Sequence, residues 1–434
     1  MTSTALLTDR YELTMLDAAL ADGTASRRSV FEVFGRRLSG GRRYGVFAGT
    51  GRLLDAIERF RFGDAELTWL AHEHVVGPAT LDWLADYRFR GSISGYREGE
   101  LYFPASPLLT VEGTFAEAVV LETLILSILN ADSAIATAAA RMVSAARGRP
   151  VAEMGSRRAN ERAAVAASRS AWIAGFEATS NLEAGRRWGV PTMGTSAHAF
   201  TLLHDDEEAA FRSQVSAMGT GTTLLVDTFD IPDAVRTAVR VAGPELGAVR
   251  IDSGDLPVVV GEVRRLLDSL GATGTKIVVT NDLDEHAIAT LGAMPVDSYG
   301  VGTALVTGSG HPAAGLVYKL VARADADGHL RPVAKRSSQK GGKGGRKSAF
   351  RILDPAGTAT EERIVVGETP PRDADGRTLV VPLVTAGQAD SAHVGVAGVR
   401  AAREHHAAVM RELPMNGTRL SGGDPAIPTV FRDA

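Results

Sequence analysis

The sequence of 434 residues contains no cysteine. This excludes disulfide bonds, a catalytic thiolate and any zinc site with cysteine ligands. The formal net charge is −4, so the chain as a whole has no general attraction for nucleic acid. No uninterrupted apolar run approaches membrane-spanning length, and residues 1–7 lack the basic start and hydrophobic stretch of a secretory signal. These absences favour a cytoplasmic protein that binds neither nucleic acid nor membrane.

The composition is that of a globular protein, with 44% hydrophobic and 23% charged residues, and the length suits two or three domains. The middle third alternates short apolar segments with helix-like stretches, which is typical of parallel β-α-β units. Six such segments favour a partial or complete α/β barrel over a small doubly wound sheet. The predicted strands are Val151–Met154, Pro191–Gly194, Thr223–Val226, Ala248–Ile251, Lys276–Val279 and Val296–Tyr299.

The flanking regions lack this regular alternation. Residues 1–130 combine helices with mixed strands, and residues 316–434 are rich in predicted strands. Near the N-terminus, Asp9 and Glu12 have the spacing of a capping box at the start of a helix. We therefore predict an irregular (partial) α/β barrel at 131–315. The two flanks are expected to form an accessory α/β domain, with the C-terminal segment packing back on the N-terminal one.

Polar residues follow every predicted strand of the middle third. They would all emerge at the carboxyl ends of the strands, which is where parallel α/β proteins place their active sites. Any one of these segments could be ordinary loop sequence, but six together predict an enzyme. The segments are Gly155-Ser156-Arg157-Arg158, Thr195-Ser196-Ala197-His198, Asp227-Thr228-Phe229-Asp230, Asp252-Ser253-Gly254-Asp255, Thr280-Asn281-Asp282 and Gly300-Val301-Gly302-Thr303.

The segment with the most chemistry is Val249-Arg250-Ile251-Asp252-Ser253-Gly254-Asp255, where an apolar strand ends in an arginine and two carboxylates. Burying such charges without partners costs several kcal/mol, about enough to exclude them from a strand interior. At a strand end they suit a metal–phosphate or sugar–phosphate ligand. The alternative is a helix N-cap, Asp252 or Ser253, beside a structural Arg–Asp pair.

Two further strand ends carry candidate phosphate ligands. Gly300 and Gly302 would let the backbone approach a phosphate, with the Thr303 hydroxyl as an additional donor. Arg157 and its neighbour Arg158 could neutralise a phosphate or a carboxylate. For the arginines, a surface pairing with Glu161 is the alternative interpretation.

His198 lies at a predicted strand–helix junction among small and hydroxylic residues. No second histidine stands at helical ligand spacing from it, which argues against zinc. A general base, a nucleophile and an anion ligand all remain possible roles.

A basic stretch at 331–351 contains no acidic residue. Its centre, Gly341 to Ser348, resembles a phosphate loop but departs from the Walker pattern, because Arg346 occupies the place of the second glycine. A loop that closes over phosphates is one interpretation. A solvated charge run, or a nucleic-acid patch without interleaved aromatics, is the other.

Taken in order, these segments resemble those of the nicotinate phosphoribosyltransferase family. The resemblance also includes Thr8-Asp9-Arg10-Tyr11-Glu12-Leu13-Thr14-Met15 and covers roughly residues 5–350. It implies a type II phosphoribosyltransferase fold and a homodimer with shared sites. The implied reaction converts nicotinate, 5-phosphoribosyl 1-pyrophosphate and ATP to nicotinate mononucleotide, pyrophosphate, ADP and phosphate.

The resemblance also implies residue roles. His198 would be the histidine that ATP phosphorylates during turnover. Tyr11, Thr195 and Arg250 would line the nicotinate pocket. A flat ring with a carboxylate calls for an aromatic stacker and a cation, and Arg157 is a second candidate for that cation.

The phosphoribosyl group would bind at Thr303, with Gly300 and Gly302 beside it. Displacing pyrophosphate from the anomeric carbon develops oxocarbenium character. Asp252 and Asp255 could stabilise that charge by holding the ribose hydroxyls or Mg²⁺, although the sequence does not identify the metal ligands.

Two departures from the family pattern matter. Some relatives hold a zinc ion with cysteines, and this chain has none. The nicotinamide-specific relative has an aspartate where this chain has Ser196, and a carboxylate there would repel the carboxylate of nicotinate. Nicotinate is therefore the expected base, with nicotinamide or quinolinate as alternatives and a non-catalytic binding homologue as a third. A sugar-phosphate lyase would need a lysine poised for a Schiff base, but Lys276 lies at the wrong end of its strand.

Overall fold

The computed structural model describes residues 2–335, 343–367 and 376–433. The chain divides into two compact units, one formed by residues 138–310 and the other by residues 1–137 together with 311–434. These limits fall a few residues from the predicted ones at 130 and 315. We call the two parts the barrel unit and the accessory unit.

The barrel unit contains a six-stranded sheet in which all neighbouring strands are parallel. Helices connect consecutive strands, so the prediction of an irregular, partial α/β barrel is confirmed. The strands in spatial order are Ala178–Thr179, Val151–Glu153, Ser298–Val301, Lys276–Val279, Ala248–Ile251 and Thr223–Leu225. The helices are Glu161–Ile173, Leu182–Trp188, His198–Leu203, Glu207–Met218, Ile231–Ala242, Leu256–Ser269, Glu285–Thr290 and Thr303–Val306.

One edge of this sheet differs from the prediction. The helix that begins at Glu161 ends at Ile173, and Ala178–Thr179, which is not among the predicted strands, forms the edge strand. Gly175 breaks the helix, because it adopts φ +107, a backbone conformation that favours glycine. The predicted strand at 191–194 is reduced to a single bridge between Thr192 and Thr179.

The accessory unit is built on an antiparallel sheet of seven strands that draws on both ends of the chain. In this sheet Arg28–Gly35 pairs with Leu109–Thr114 on one side and with Leu316–Ala324 on the other. The prediction that N- and C-terminal segments form one accessory domain is therefore confirmed. The other strands of the sheet are Leu330–Pro332, Ser92–Tyr96, Val380–Thr385 and Gln388–Ala389.

Smaller elements complete the accessory unit. A four-stranded sheet consists of Arg377–Thr378, Lys347–Leu353, Ala359–Val366 and Thr429–Asp433, and a two-stranded one of Gly45–Val46 and Leu101–Tyr102. The helices are Arg10–Ala21, Thr50–Glu58, Asp64–His72, Pro78–Ala85, Phe115–Val119 and Gly395–Val409. The apolar faces of the first five of these helices and the seven-stranded sheet share one buried core.

The boundary between the units falls within the long helix Glu122–Ala146. Together with the short helix before it, it forms the one stretch of the described residues that is long and apolar enough to cross a membrane, at 115–146. Most of its apolar part, 67%, is buried inside the protein. Such burial is the pattern of a core helix.

Candidate active site

A cavity of about 180 Å³ opens at the carboxyl ends of the barrel strands. The strands bring together six of the predicted site residues, which lie far apart in the sequence, and this is where parallel α/β folds place ligands. The residues that line the cavity are Met154, Arg157, Arg158, Arg250, Asp252, Thr280, Asn281, Asp282, Gly300, Gly302 and Thr303.

Arg250 projects from the end of its strand and is partly buried. Its Nη1 donates a hydrogen bond of 2.6 Å to Thr195 Oγ1, which joins two residues predicted for the same pocket. Burial lowers the pKa of the guanidinium, although an arginine remains charged. Its Nε is buried and has no hydrogen-bond partner among the described residues. A buried N–H without an acceptor is costly, so this position favours an anionic ligand.

Asp252 is fixed on the same wall. Its Oδ1 accepts a hydrogen bond of 2.7 Å from Thr280 Oγ1. Its backbone N–H and the Ser253 hydroxyl both donate to Asp227 Oδ2, at 2.9 and 2.7 Å. The helix-cap alternative is therefore wrong for Asp252 and Ser253, because the N-cap position of the next helix is Asp255. The Asp255 side chain makes no capping bond and is exposed.

His198 begins the helix His198–Leu203 and is linked to Asp252 through Asp227. The imidazole Nδ1 lies 3.1 Å from Thr228 Oγ1, and Nε2 lies 3.9 Å from Asp227 Oδ1. The histidine side chain is 42% exposed, whereas that of Asp227 is 1% exposed. The second oxygen of this carboxylate, Oδ1, makes no hydrogen bond with any described residue. Sequence reasoning grouped Asp227 with the strand ends but gave it no role.

A second carboxylate that the sequence did not single out is Glu207. Burial, followed by the charges of Asp227, Asp230 and Asp233, raises its pKa to about 7. One of its oxygens is buried without a hydrogen-bond partner in the described part of the chain. The nearest signal in the sequence is the close spacing of the acidic residues 227, 230 and 233. Their effect on Glu207 can be recognised only when it is known which helices pack together.

Arg157 and Arg158 lie in a 3₁₀ turn at Ser156–Arg158. Across the described residues neither forms an ion pair, so the predicted alternative of a pairing with Glu161 is not observed. Both arginines line the cavity, which also contains the carboxylates of Asp252 and Asp282.

The turn that carries these arginines is held by the buried Glu153. Its carboxylate accepts hydrogen bonds from Gly155 N–H, from Ser168 Oγ at 2.8 Å and from Thr179 Oγ1. Glu153 belongs to the predicted motif but was assigned no function. Its contacts show that it anchors the strand end below the cavity.

Gly300 leaves no room for a side chain. A Cβ there would lie 2.6 Å from Thr280 Cγ2 and 2.7 Å from Met154 Sδ. The absence of a side chain at Gly300 therefore lets three strand ends lie close together. It would also let a phosphate approach the backbone. Thr303 begins a four-residue helix beside it. Asn281, also at the cavity, has φ +136, which is rare outside glycine.

Tyr11 lies in the accessory unit, in the helix Arg10–Ala21. It is 47% exposed, and burial together with Glu122 and Glu12 raises its pKa to about 12. Its role in the nicotinate pocket stays a prediction. The predicted capping box is wrong: Asp9 is the N-cap residue but its side chain makes no capping bond, and Glu12 Oε1 instead accepts from the backbone N–H of residue 123.

Residues 336–342 of the basic stretch, which include Gly341 and Gly342 of its centre, lie outside the described residues. The part that follows does not fit a phosphate lid, because its cations have acidic partners. Lys343 contacts Asp433 at 2.7 Å, and the buried Lys347 contacts Glu32 at 2.8 Å. Arg351 is fully buried and pairs with Glu362 at 2.8 Å. These residues are structural cations of the accessory unit.

Comparison with known proteins gives consistent results. Residues 6–130 match the model of the nicotinate phosphoribosyltransferase (NAPRTase) N-terminal domain. The chain is 58% identical over 433 residues to nicotinate phosphoribosyltransferase pncB1 of Mycobacterium tuberculosis, covering 98% of this chain and 94% of that protein. It is 38% identical over 371 residues to nicotinate phosphoribosyltransferase of Bacillus subtilis, covering 83% and 75%.

Among solved structures, human nicotinic acid phosphoribosyltransferase matches with a TM-score of 0.81 and 26% identity, covering 98% of this chain and 97% of that one. The likeness therefore extends over both units, and the identity to the bacterial proteins is far above the level at which only the fold is shared. The chain belongs to the nicotinate phosphoribosyltransferase family.

Proposed function

We propose that this protein transfers the phosphoribosyl group of 5-phosphoribosyl 1-pyrophosphate to nicotinate, giving nicotinate mononucleotide and pyrophosphate. The observation that carries the proposal is Arg250, a partly buried cation with an unpartnered Nε, on the same cavity wall as Asp252. The arginine suits a carboxylate substrate, and the aspartate suits a ribose. Thr303 supplies a hydroxyl for the phosphate. The names of the relatives support the same reaction.

Nicotinate recognition rests on the charge of its carboxylate. Arg250 supplies the cation, and Thr195 holds that guanidinium at 2.6 Å. Ser196, the position at which an aspartate would favour nicotinamide, donates instead to Gln214 Oε1 at 2.7 Å. No carboxylate at this position opposes the substrate, which supports nicotinate over nicotinamide. Tyr11 is the proposed stacking partner of the pyridine ring.

The transfer breaks the bond between the anomeric carbon and the pyrophosphate oxygen, and the pyridine nitrogen supplies the electron pair of the new bond. Positive charge develops on the ribose as the leaving group departs. The Asp252 carboxylate, oriented by Thr280, is placed to stabilise that charge and to hold a ribose hydroxyl. Arg157 and Arg158, which form no ion pair with any described residue, are available to the departing pyrophosphate.

Mg²⁺ is the expected cofactor. Within the described ranges no group of three or more His, Cys, Asp or Glu side chains is arranged to hold a metal. The carboxylate of Asp252 at the cavity wall fits the mode in which Mg²⁺ has few protein ligands and shares the substrate's phosphates, and Asp255 follows on the same loop. Bound there, Mg²⁺ would neutralise charge on the pyrophosphate.

ATP is the proposed co-substrate, acting through His198. An imidazole nitrogen attacks the γ-phosphorus, the bond to the β–γ bridging oxygen breaks, and ADP leaves. Water later cleaves the phosphohistidine to release phosphate, so ATP and water balance ADP and phosphate. Asp227 lies 3.9 Å from Nε2 and can stabilise an imidazolium. Phosphorylation adds negative charge beside the strand end that carries Asp252, which offers a way to change product affinity.

A homodimer is the proposed assembly. Large apolar side chains stand exposed around the His198 helix, with Leu202 at 63%, Leu203 at 78% and Phe229 at 63%. A surface of this kind is expected to be covered by a partner. Light scattering after size exclusion would give twice the 45.6 kDa chain mass. A monomer at micromolar concentration would contradict the proposal.

The reaction is tested by incubating purified protein and 5-phosphoribosyl 1-pyrophosphate with nicotinate, nicotinamide or quinolinate, each with and without ATP. Product from nicotinate, increased by ATP, is the expected result. A mononucleotide from another pyridine alone would transfer the assignment to that base. No product from any pyridine would identify a non-catalytic homologue. Arg400→Gln, an exposed substitution in the accessory unit, serves as the control variant and should give the same products as the unmodified protein.

A further inference from the structure

The accessory unit contains a large cavity that the proposed reaction does not use. Its volume is about 780 Å³, within the range of small-molecule binding sites. An apolar floor is formed by Leu20, Ala25 and Ala116, and the wall carries Trp83, Arg88 and Arg90. The site thus combines a surface for a flat ring with two cations.

The two arginines lie on one side of an extended segment. From Tyr87 to Arg90 burial alternates strictly, with Tyr87 and Phe89 in the core and Arg88 and Arg90 exposed. Both arginines line the cavity, and Tyr87 between the ring of Trp83 and the core lines it as well. The core contacts of Tyr87 and Phe89 hold this arrangement in place.

The cavity is lined by two carboxylates, Asp86 and Glu117, as well as by the two arginines. Across the described residues, neither Arg88 nor Arg90 forms an ion pair. Arg88 donates only to the carbonyl of Tyr87, at 2.6 Å. The charge of Arg88 also contributes to lowering the pKa of nearby Arg61, so the guanidinium groups repel one another. The carboxylate of Glu117 already accepts two bonds from Thr114.

Trp83 is held as a rigid wall. Its ring centroid lies 5.4 Å from that of Tyr87, and Tyr87 packs edge-on against Phe60 at 5.6 Å. The Tyr87 hydroxyl donates to the carbonyl of Glu117 at 3.0 Å, which fixes the cluster. Trp83 itself is only partly buried, so part of its indole is available to a ligand.

We propose that this cavity is a second ligand site, which binds an aromatic anion of mononucleotide size. The ring lies against Trp83 and the apolar floor, and the phosphate or carboxylate is bound by Arg88 and Arg90. Asp86, also at the cavity wall, opposes the anion and limits its affinity. The site is independent of the transferase chemistry proposed for the barrel unit.

Calorimetric titration of the full chain with AMP, nicotinate, adenosine and inorganic phosphate tests the proposal. The Arg250→Ala variant is used so that binding in the barrel cavity is weakened. AMP should bind saturably, and nicotinate, an aromatic anion smaller than a mononucleotide, should bind more weakly than AMP. Adenosine lacks the anionic group and inorganic phosphate lacks the ring, so each should bind at least about tenfold more weakly. An equal response to all four probes, or no binding of AMP, would overturn the proposal.

Variants then locate the binding. Arg88→Gln/Arg90→Gln should weaken binding by about tenfold or more, because two charge-assisted hydrogen bonds are lost. Arg400→Gln/Arg411→Gln, an exposed pair in the same unit, should leave it unchanged. Asp86→Asn should tighten AMP binding, an effect that general destabilisation would not produce. Unchanged affinity in the first variant, or weaker affinity in the last, would contradict the site.

Discussion

The buried carboxylate of Asp227 faces the exposed imidazole of His198, with Oδ1 at 3.9 Å from Nε2. The other oxygen of the same carboxylate holds the backbone N–H of residue 252. One side chain thus connects the proposed phosphorylation site to the proposed ribose site. This connection provides a physical route by which a phosphoryl group on the histidine alters the neighbouring strand end.

His198→Ala should abolish nicotinate-stimulated ATP hydrolysis and leave a slow transfer that does not need ATP. The reason is that the substitution removes the nucleophile for ATP but none of the groups around the ribose. Simultaneous assays of ADP and nicotinate mononucleotide measure both effects. Asp227→Asn should reduce ATP hydrolysis less severely, because the nucleophile remains. Undiminished coupling in the alanine variant would refute the assignment.

Arg250→Ala should raise the KM for nicotinate about 10- to 100-fold, the range expected when a charge-assisted hydrogen bond is lost. The KM for ATP should change much less, since the guanidinium is assigned to the pyridine carboxylate. Initial rates measured with nicotinate and ATP varied in turn separate the effects on the two KM values. Arg250→Lys keeps the charge but loses the fork geometry of the guanidinium. Its KM for nicotinate should therefore lie between those of the unmodified protein and the alanine variant. An equal loss for both substrates would count against a nicotinate role.

Glu207→Gln should stabilise the protein more at pH 8 than at pH 5.5. Burial and three nearby aspartates raise the pKa of Glu207 from 4.5 to about 7. The folded state therefore holds this proton more tightly than the unfolded state does. The stability contributed by the group is complete below pH 4.5 and is lost as the pH rises through 7. Thermal unfolding of both proteins at the two pH values measures the difference, which should be clearly smaller at pH 5.5 than at pH 8.

Arg351→Met should destabilise the accessory unit by about 3–5 kcal/mol, because it leaves the fully buried Glu362 without its cation. The remaining carboxylate would keep only its hydrogen bonds from Tyr96 and Ser106. Arg351→Met/Glu362→Leu should recover much of the loss, since no unpaired charge remains. Denaturant unfolding measures both variants. A double variant as unstable as the single one would mean that lost packing, not unpaired charge, causes the effect.

Sequence periodicity predicted those parts of the fold that depend on local pattern. The strands Ala248–Ile251 and Lys276–Val279 have the predicted bounds, because each is an apolar run between turn residues. The strand Ala178–Thr179 was missed because two residues give no periodic signal, and the bridge at Thr192 depends on it. The domain limit predicted at 130 falls inside the helix Glu122–Ala146, which continues through an alanine-rich segment without a clear polar face.

The candidate site likewise has residues that the sequence could predict and residues that it could not. The residues that line the barrel cavity could be predicted because parallel strands bring their carboxyl ends to one edge. Asp227, Glu207 and Glu153 could not be assigned, since their hydrogen bonds and pKa shifts depend on which distant residues pack against them. The ion pairs in the described part of the basic stretch could not be predicted for a related reason: the acidic partners of Lys347 and Arg351 lie on other strands.

The pairing of Arg28–Gly35 with Leu316–Ala324 has a consequence for biosynthesis. The accessory sheet needs a strand that the ribosome makes late, whereas residues 138–310 form one continuous segment with all six parallel strands. Domains fold as units as they emerge during translation. The barrel unit can therefore be complete while the N-terminal strands still lack a neighbour. Until then their unpaired edge is the part of the nascent chain most exposed to aggregation, and the part for which chaperone protection matters most.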